Sequence, residues 1–130
     1  MSIADIRAGL GKNLGTIRGL RVATEIPDNP SPPIAVLSLD SVSYDNAFKK
    51  GLVLYEFTVN LIVGRVAERD SQRKLDTYIS GVLKDAVESD KTLDGSAYDV
   101  IVTEMRNIGA VSLNDASYLA AEFSITVYSS

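Results

Sequence analysis

Two glutamates, Glu56 and Glu122, are the residues whose type and setting come closest to a catalytic pair. Each stands in a run of alternating apolar and polar residues, Glu-Phe-Thr-Val and Glu-Phe-Ser-Ile. If both runs are strands of one sheet, the carboxylates could face each other, and paired carboxylates can act as general acid and general base. A solvated sheet face is the stronger explanation, because both glutamates lie on the polar side of their strands and placement alone never establishes a site.

The rest of the composition argues against catalysis. Among the 130 residues there is no histidine and no cysteine. The chain therefore lacks the commonest general base, the commonest transition-metal ligand, thiol nucleophiles, disulfides and cysteine-ligated zinc. We expect a protein that is not an enzyme, with no catalytic residue, no metal ligand and no cofactor.

Three other stretches resemble binding motifs only superficially. Residues 90–95 read Asp-Lys-Thr-Leu-Asp-Gly, which lacks the spacing and the distal glutamate of a calcium loop. Residues 9–15 are rich in glycine but miss the pattern of a phosphate-binding loop, and no strand precedes them. The serines have no Gly-x-Ser-x-Gly elbow and no histidine partner. None of these stretches predicts a ligand.

Size, charge and hydropathy favour an ordinary globular domain. With 45% hydrophobic and 23% charged residues, the chain predicts a single domain over residues 1–130. No apolar run approaches the ~20 residues that span a bilayer, and residues 1–5 do not resemble a secretion signal, so we expect no membrane contact and a cytoplasmic origin. A net charge of −4 disfavours tight DNA binding, although DNA could pass an acidic wall without sticking.

The periodicity of apolar residues predicts two helices and five strands. The helices cover residues 2–14 and 70–88, where apolar side chains recur every three or four positions. Strands are expected at residues 20–26, 34–42, 52–63, 99–110 and 118–128. The order α-β-β-β-α-β-β, with short polar links, predicts an α+β fold with a mainly antiparallel, or mixed, sheet whose helices cover one face.

The strongest strand, the last strand and the second helix define the expected core. In the strongest strand one face is apolar: Tyr55, Phe57, Val59, Leu61 and Val63. Its other face carries Glu56, Thr58 and Asn60, and the last strand repeats this pattern with Glu122, Ser124 and Thr126. The second helix is expected to begin at a cap formed by Asp70 or Ser71. Its apolar stripe contains Leu75, Tyr78, Ile79, Val82, Leu83, Ala86 and Val87.

A run of charged residues links the strongest strand to this helix. It contains Arg65, Glu68, Arg69, Arg73 and Lys74. A solvated helix start explains such a run, because exposed ion pairs contribute only about 0–1 kcal/mol. The alternative is a charged patch that pairs with a neighbouring subunit.

Several short motifs follow one another in the second half of the chain. A strand ends in Val-Gly-Arg at residues 63–65, and a helix carrying Leu-Asp-x-Tyr follows at residues 70–78. The turn Asp-x-Thr-Leu-x-Gly comes next at residues 90–95, and the final strand contains Glu-Phe-x-Ile-x-Val. Together with a proline-rich loop at residues 27–33, this order is similar to that in the tail terminator proteins of bacteriophages with long, non-contractile tails. Such proteins often have a longer break after the tyrosine of this helix. The sequence therefore leaves open whether residues 70–88 form one helix or two.

The resemblance implies a structural protein of the virion rather than an enzyme. Such a protein forms a homo-oligomeric ring, commonly a hexamer, at the head-proximal end of the tail, after assembly in the host cytoplasm. The ring caps the major tail tube protein, ends tube polymerisation and offers its other face to the head-completion or connector protein. DNA passes through the hole without specific binding.

We predict two contact surfaces within such a ring. The polar connections at residues 45–51 and 65–69, with Asp45, Lys49 and Lys50 in the first, are expected to line the lumen or dock partners. The polar strand face that carries Glu56 and Glu122 is expected to contact a neighbouring subunit. Together with Arg65, Glu68, Arg69 and Arg73, these are the predicted interface residues.

Two alternative functions remain from the sequence. Another head–tail connector or a tail-tube subunit would share the resemblance, although a tube subunit should be richer in strands than the helix at 70–88 suggests. A small enzyme using carboxylates would need Glu56 and Glu122 together in a deep pocket with perturbed pKa values.

Overall fold

A computed structural model describes residues 3–23, 32–44, 51–113 and 115–129 of the chain. The chain forms five strands and two helical units, the second of which is kinked. The elements are α1 (Ile3–Leu14), β1 (Arg21–Ala23), β2 (Ile34–Tyr44), β3 (Val53–Arg65), α2 (Ser71–Thr77), a π-turn (Tyr78–Val82), α3 (Leu83–Val87), β4 (Asp99–Leu113) and β5 (Ala116–Ser129). Ser2, the expected first residue of the first helix, lies outside the described residues, as do most of the proline-rich loop and the connection at residues 45–50.

The five strands form one mixed sheet in the order β1-β2-β3-β5-β4. The short strand β1 runs parallel to β2, and the other three pairings are antiparallel. The chain returns from β4 through a hairpin, so β5 is inserted between β4 and β3. The α+β class with two helical units on a five-stranded sheet is as predicted, and the parallel pair makes the sheet mixed.

Helices cover one face of this sheet and bury the main core. The apolar face of β3 lies in that core, as predicted, with Phe57, Val59 and Leu61 at most 1% exposed. On β5 the alternate residues Phe123, Ile125 and Val127 are buried against the same helices. From α1 the core receives Ile6, Leu10 and Leu14.

The second helical unit is interrupted by a kink at Gly81. This residue has φ 139° and lies inside the π-turn, so the continuous stripe predicted for residues 70–88 is broken there. Leu75, Tyr78 and Leu83 are buried as expected, but Val82 is 40% exposed. A π-turn adds a residue to the helical turn, which shifts the apolar stripe, and glycine tolerates the positive φ.

The predicted side-chain cap of α2 is wrong. Asp70 occupies the N-cap position but makes no side-chain capping hydrogen bond. Ser71 is buried instead, and its Oγ has no hydrogen-bond partner among the described residues. A Cβ at Gly64 would lie 2.5 Å from this Oγ, so the absence of a side chain on β3 allows α2 to begin close to the sheet.

Asn13 connects the two helical units through a buried side chain. Its amide donates to the Val87 carbonyl at 2.8 Å and to the Asp90 carbonyl at 3.0 Å. These carbonyls belong to the end of α3 and the turn that follows, where the helix leaves acceptors unpaired. A buried polar residue in α1 therefore caps a helix that is far away in sequence.

In the described part of the chain, no helix has both the length and the apolar character required to cross a lipid bilayer.

Glu88 joins the end of α3 to the outer strand β4. Its Oε2 accepts a hydrogen bond from the Val102 N–H at 3.0 Å and one from Lys84 Nζ, and Lys91 Nζ lies 3.7 Å from Oε1. Partial burial raises the pKa of this carboxyl, but the hydrogen bonds and the two lysine charges outweigh that effect and leave the pKa below its ordinary value. The ionised carboxylate therefore stabilises the fold.

We predict that Glu88→Gln destabilises the protein by about 1 kcal/mol at neutral pH, since a charge-assisted hydrogen bond is weakened. A lowered folded-state pKa means that the unfolded chain binds the proton first as the pH falls. The difference in the free energy of unfolding between wild type and Glu88→Gln should thus be complete above the ordinary carboxyl pKa. It should disappear as the pH falls through the lower folded-state pKa. Urea unfolding across acidic pH measures this gap. Glu68→Gln, an exposed carboxylate, is the matched control, and a gap that widens on acidification would contradict the assignment.

Gly9 and Gly11 of α1 offer a second test, because their surroundings differ. A Cβ at Gly9 would lie 2.6 Å from Leu93 Cβ and 2.9 Å from the Leu93 carbonyl oxygen, whereas nothing lies within 4 Å of a Cβ at Gly11. Leu93 is held in a turn at φ 49° and has little room to move. Gly9→Ala should lower the free energy of unfolding by about 1–3 kcal/mol through overpacking. Gly11→Ala should raise it by up to about 1 kcal/mol, because alanine has the higher helix propensity. Equal effects of the two substitutions on urea midpoints would refute the close contact.

Candidate interaction surface

No helix of the described residues lies over the second face of the sheet, whose centre presents an ordered polar surface. Its central rows are direct cross-strand pairs between β3 and β5: Glu56 with Thr126, Thr58 with Ser124, and Asn60 with Glu122. All six residues were predicted on the polar faces of their strands. We call this surface, with its neighbours on β2 and β4, the open face.

Two β-bulges shape the open face. In β2 the pairing shifts between Leu39 and Ser41, so Asp40 is an extra residue. In β4 it shifts between Val102 and Glu104, which makes Thr103 the extra residue. Both bulges flank the same cross-strand row, formed by Leu39, Phe57, Ile125 and Val102. Because a bulge bends its strand and increases the local twist, we attribute to this pair the depression that lies between β2 and β4.

The bulge in β4 decides which side chains reach the open face. Beyond it, Met105 pairs with Phe123 and packs against the core, while Glu104 pairs with Ser124 and Arg106 with Glu122. Without the extra residue, strict alternation would direct Met105 to the open face and the two charges to the core. The bulge therefore delivers a glutamate and an arginine to the polar surface.

Arg106 is the centre of the resulting network. Its Nη1 lies 3.1 Å from Glu104 Oε1 and donates to Ser124 Oγ, and its Nε lies 3.5 Å from Glu122 Oε2. Glu122 also accepts a hydrogen bond from Asn107, whose φ of 53° belongs to a second irregularity of β4. One guanidinium thus holds residues of both strands of the hairpin in place.

A shallow groove of about 360 Å³ lies beside Arg106 on this face. Among the described residues, its charged lining consists of Asp40, Glu56, Glu104 and Arg106. Asp40 accepts a hydrogen bond from the buried hydroxyl of Thr58, and Glu56 accepts one from Ser41 Oγ at 3.0 Å. Three carboxylates against one guanidinium leave this groove, which we call the acidic groove, with an excess of negative charge.

The register separates the two glutamates that suggested a catalytic pair. Glu56 pairs with Thr126 and Glu122 with Asn60, so they are four residues apart along the strands. At about 3.3 Å per residue this is about 13 Å, too far for two carboxyl groups to share a proton. Both lie on one face, as predicted, but the paired-carboxylate arrangement is not formed.

The open face becomes apolar toward the end where β4 and β5 join. Ile34, Ile62 and Tyr118 form a second buried cluster there, and a smaller cavity of about 150 Å³ lies beside Val111 and Leu113. Val111 itself is exposed. The face therefore combines a polar centre with an apolar end that is itself mostly buried, since Ile34, Ile62 and Tyr118 are 2–5% exposed.

The remaining predicted interface residues lie elsewhere. Arg65 is the exposed last residue of β3, Glu68 and Arg69 lie in the exposed turn that follows, and Arg73 is exposed on α2. Asp45, Lys49 and Lys50 lie outside the described residues. The structure thus divides the predicted residues between the open face and the helix side, and does not bring them into one site.

A second groove, of about 300 Å³, lies on the helix side where α2 meets the π-turn. Ile17, Tyr78 and Val82 form its apolar part, and burial raises the pKa of the Tyr78 hydroxyl. Its charged lining is Arg18, Arg73 and Lys74, none of which has an ion-pair partner among the described residues. We call this the basic groove.

The carboxylate of Asp90 stabilises its own turn. Its Oδ1 accepts from the Thr92 hydroxyl at 2.8 Å and the Thr92 N–H at 3.1 Å, and its Oδ2 accepts from the Asp94 N–H at 2.9 Å. These bonds hold the pKa of Asp90 below its usual value. Within the described ranges no group of three or more acidic side chains is placed to hold a metal ion.

Sequence reasoning did not identify Arg106, Glu104 or Asp40 as parts of a surface. The signal was present: apolar residues stand three apart at Leu39 and Val42 and again at Val102 and Met105. In a strand of period two, a spacing of three between core residues indicates an extra residue, hence a bulge.

Arg106→Met should destabilise the protein by about 1 kcal/mol at low salt, because partly exposed ion pairs contribute little each but Glu104 and Glu122 lose a shared partner. Salt weakens the attraction that the substitution removes and also the repulsion that it leaves between Glu104 and Glu122. The difference in stability from wild type should therefore shrink as the salt concentration rises. Urea unfolding at low and high salt measures it. Arg7→Met, at an exposed arginine of α1, is the control, and a loss independent of salt would argue against the network.

A scan against known protein families finds no match, and a search of curated proteins finds no significant relative.

Proposed function

We propose that this protein is a tail terminator of a bacteriophage with a long, non-contractile tail. Copies of the chain assemble into a ring, commonly of six subunits, at the head-proximal end of the tail. One side of the ring caps the tube formed by the major tail protein and ends its growth. The other side receives the head-completion or connector protein, and DNA passes through the centre.

The observation that carries this proposal is the open face. In the described ranges the helices cover one side of the five-stranded sheet, which leaves an ordered, mainly polar surface at the centre of the other side. The groove beside Arg106 is half-open, and its polar side chains are bonded mainly to one another. Such a surface suits the contact of one protein with another better than the enclosure of a small substrate.

The motifs behind the resemblance have structural roles that such a protein would need. Leu75 and Tyr78 of the helix motif are buried, and Leu93 of the turn motif packs against Gly9 of α1. Phe123, Ile125 and Val127 of the final motif form the centre of the core. These residues build the scaffold, and the work of assembly is left to the surfaces.

Net charge is consistent with the passage of DNA. A net charge of −4 disfavours tight binding of phosphates, and tight binding in a lumen would oppose movement of the genome. The exposed turn with Arg65 and Arg69 is assigned to the docking of the tube or the head-completion protein rather than to DNA, because Glu68 lies between them.

Light-scattering mass and negative-stain imaging of the purified full-length chain test this function. We expect one oligomer with the mass of several subunits, and images of rings with a central hole. A closed ring satisfies every heterologous contact, so its mass should not increase with concentration. A monomer at all concentrations would contradict self-assembly of the free chain, and open filaments would contradict ring closure.

A further inference from the structure

The acidic groove and the basic groove lie on opposite sides of the molecule and have opposite charge. The first lies on the open face of the sheet, and the second lies on the helices that cover the other face. Their volumes, about 360 and 300 Å³, are similar. Each groove also has charges without an ion-pair partner in the described ranges: Asp40 and Glu56 in one, Arg73 and Lys74 in the other.

We infer that the basic groove of one subunit binds the acidic groove of the next. The proposal rests on the proposed ring and names the surfaces that build it. The occupant of each groove is a second copy of this chain, because the chain itself supplies the complementary surface.

Charge complementarity gives this contact its direction. Arg73, Lys74 and Arg18 would face Asp40, Glu56 and Glu104, whereas two acidic grooves or two basic grooves would repel each other. The contact is therefore heterologous, since unlike patches meet. Heterologous contacts produce a closed ring when the rotation between subunits closes, and a filament when it does not.

The π-turn contributes to the same contact. The kink at Gly81 leaves Val82 40% exposed at the edge of the basic groove, although its position in the sequence belongs to the apolar stripe. Together with Ile17, this gives the groove an apolar floor within a cationic rim. Burial of that floor supplies favourable free energy that charge pairs alone do not.

Charge reversal tests the pairing. Glu56→Lys with Glu104→Lys makes both grooves basic, and Arg73→Glu with Lys74→Glu makes both acidic. We expect each double variant to lose association by about 100-fold, because like charges then face each other. The variant that carries all four substitutions restores opposite charge and should assemble again.

Mixing the two double variants supplies an independent readout. In an equal mixture each contact between unlike variants is complementary, so subunits can alternate around a ring with an even number of members. Mixed rings should form although neither variant assembles alone. Circular dichroism melting checks that each variant is folded, and Arg7→Glu with Asp85→Lys, reversals outside both grooves, should assemble as wild type does.

The outcomes separate this inference from the proposed function. Wild-type rings, loss in both double variants and recovery on mixing would support the pairing. If wild type and both folded double variants assemble equally, the pairing is overturned and the ring stands. If the double variants lose association and neither the four-fold variant nor the mixture recovers it, the pairing is also overturned. If wild type remains a monomer in every light-scattering measurement, both proposals are overturned.

Discussion

The pairing of β3 with β5 is the constraint on which the rest of the structure depends. These two long strands lie at the centre of the sheet and present one apolar and one polar face in the same register. Burial of Phe57, Val59, Phe123 and Ile125 beneath the helices contributes the non-directional stabilisation of the core. A shift of one residue would exchange the two faces, so the apolar pattern itself specifies the register.

Coverage of one face only has a direct consequence for function. Both helical units in the described ranges lie on the apolar side, and the polar centre of the other face has no helix of these ranges over it. On that side, bulges and cross-strand hydrogen bonds hold an open surface in place. Arg106 links β4 to β5, while Asp40 links β2 to β3 through Thr58. An ordered surface loses less conformational entropy when a partner binds.

The helix side shows the same relation between local irregularity and surface chemistry. Gly81 interrupts the second helical unit, and the interruption brings Val82 to the surface beside unpaired cations. Irregularities at the two sides, bulges in the sheet and a π-turn in the helix, therefore create the two surfaces to which we assign assembly. A regular sheet and a straight helix would have buried Val82 and directed Arg106 toward the core.

Local pattern was sufficient for the regular parts of the molecule. Alternation and helical spacing identified the helices, the strands, the helix-covered face and the polar residues of β3 and β5, because burial on one side imposes a period on the sequence. The placement of Glu56 and Glu122 on one face follows from the same period. Their separation does not, since register along a sheet depends on which residues pair.

Only the tertiary structure decided the features that depend on contacts between distant segments. The order of the strands, with β5 inserted beside β3, and the parallel pairing of β1 follow from packing of the whole chain. Ser71 packs toward Gly64 and does not cap α2. Asn13 of α1 caps the end of α3 by donating to the Val87 carbonyl. The network around Arg106 requires the bulge at Thr103, which shifts the alternation by one residue. By itself, the sequence determined which residues could be buried; tertiary packing decided which charged groups meet, because those contacts depend on register and kinks rather than on period.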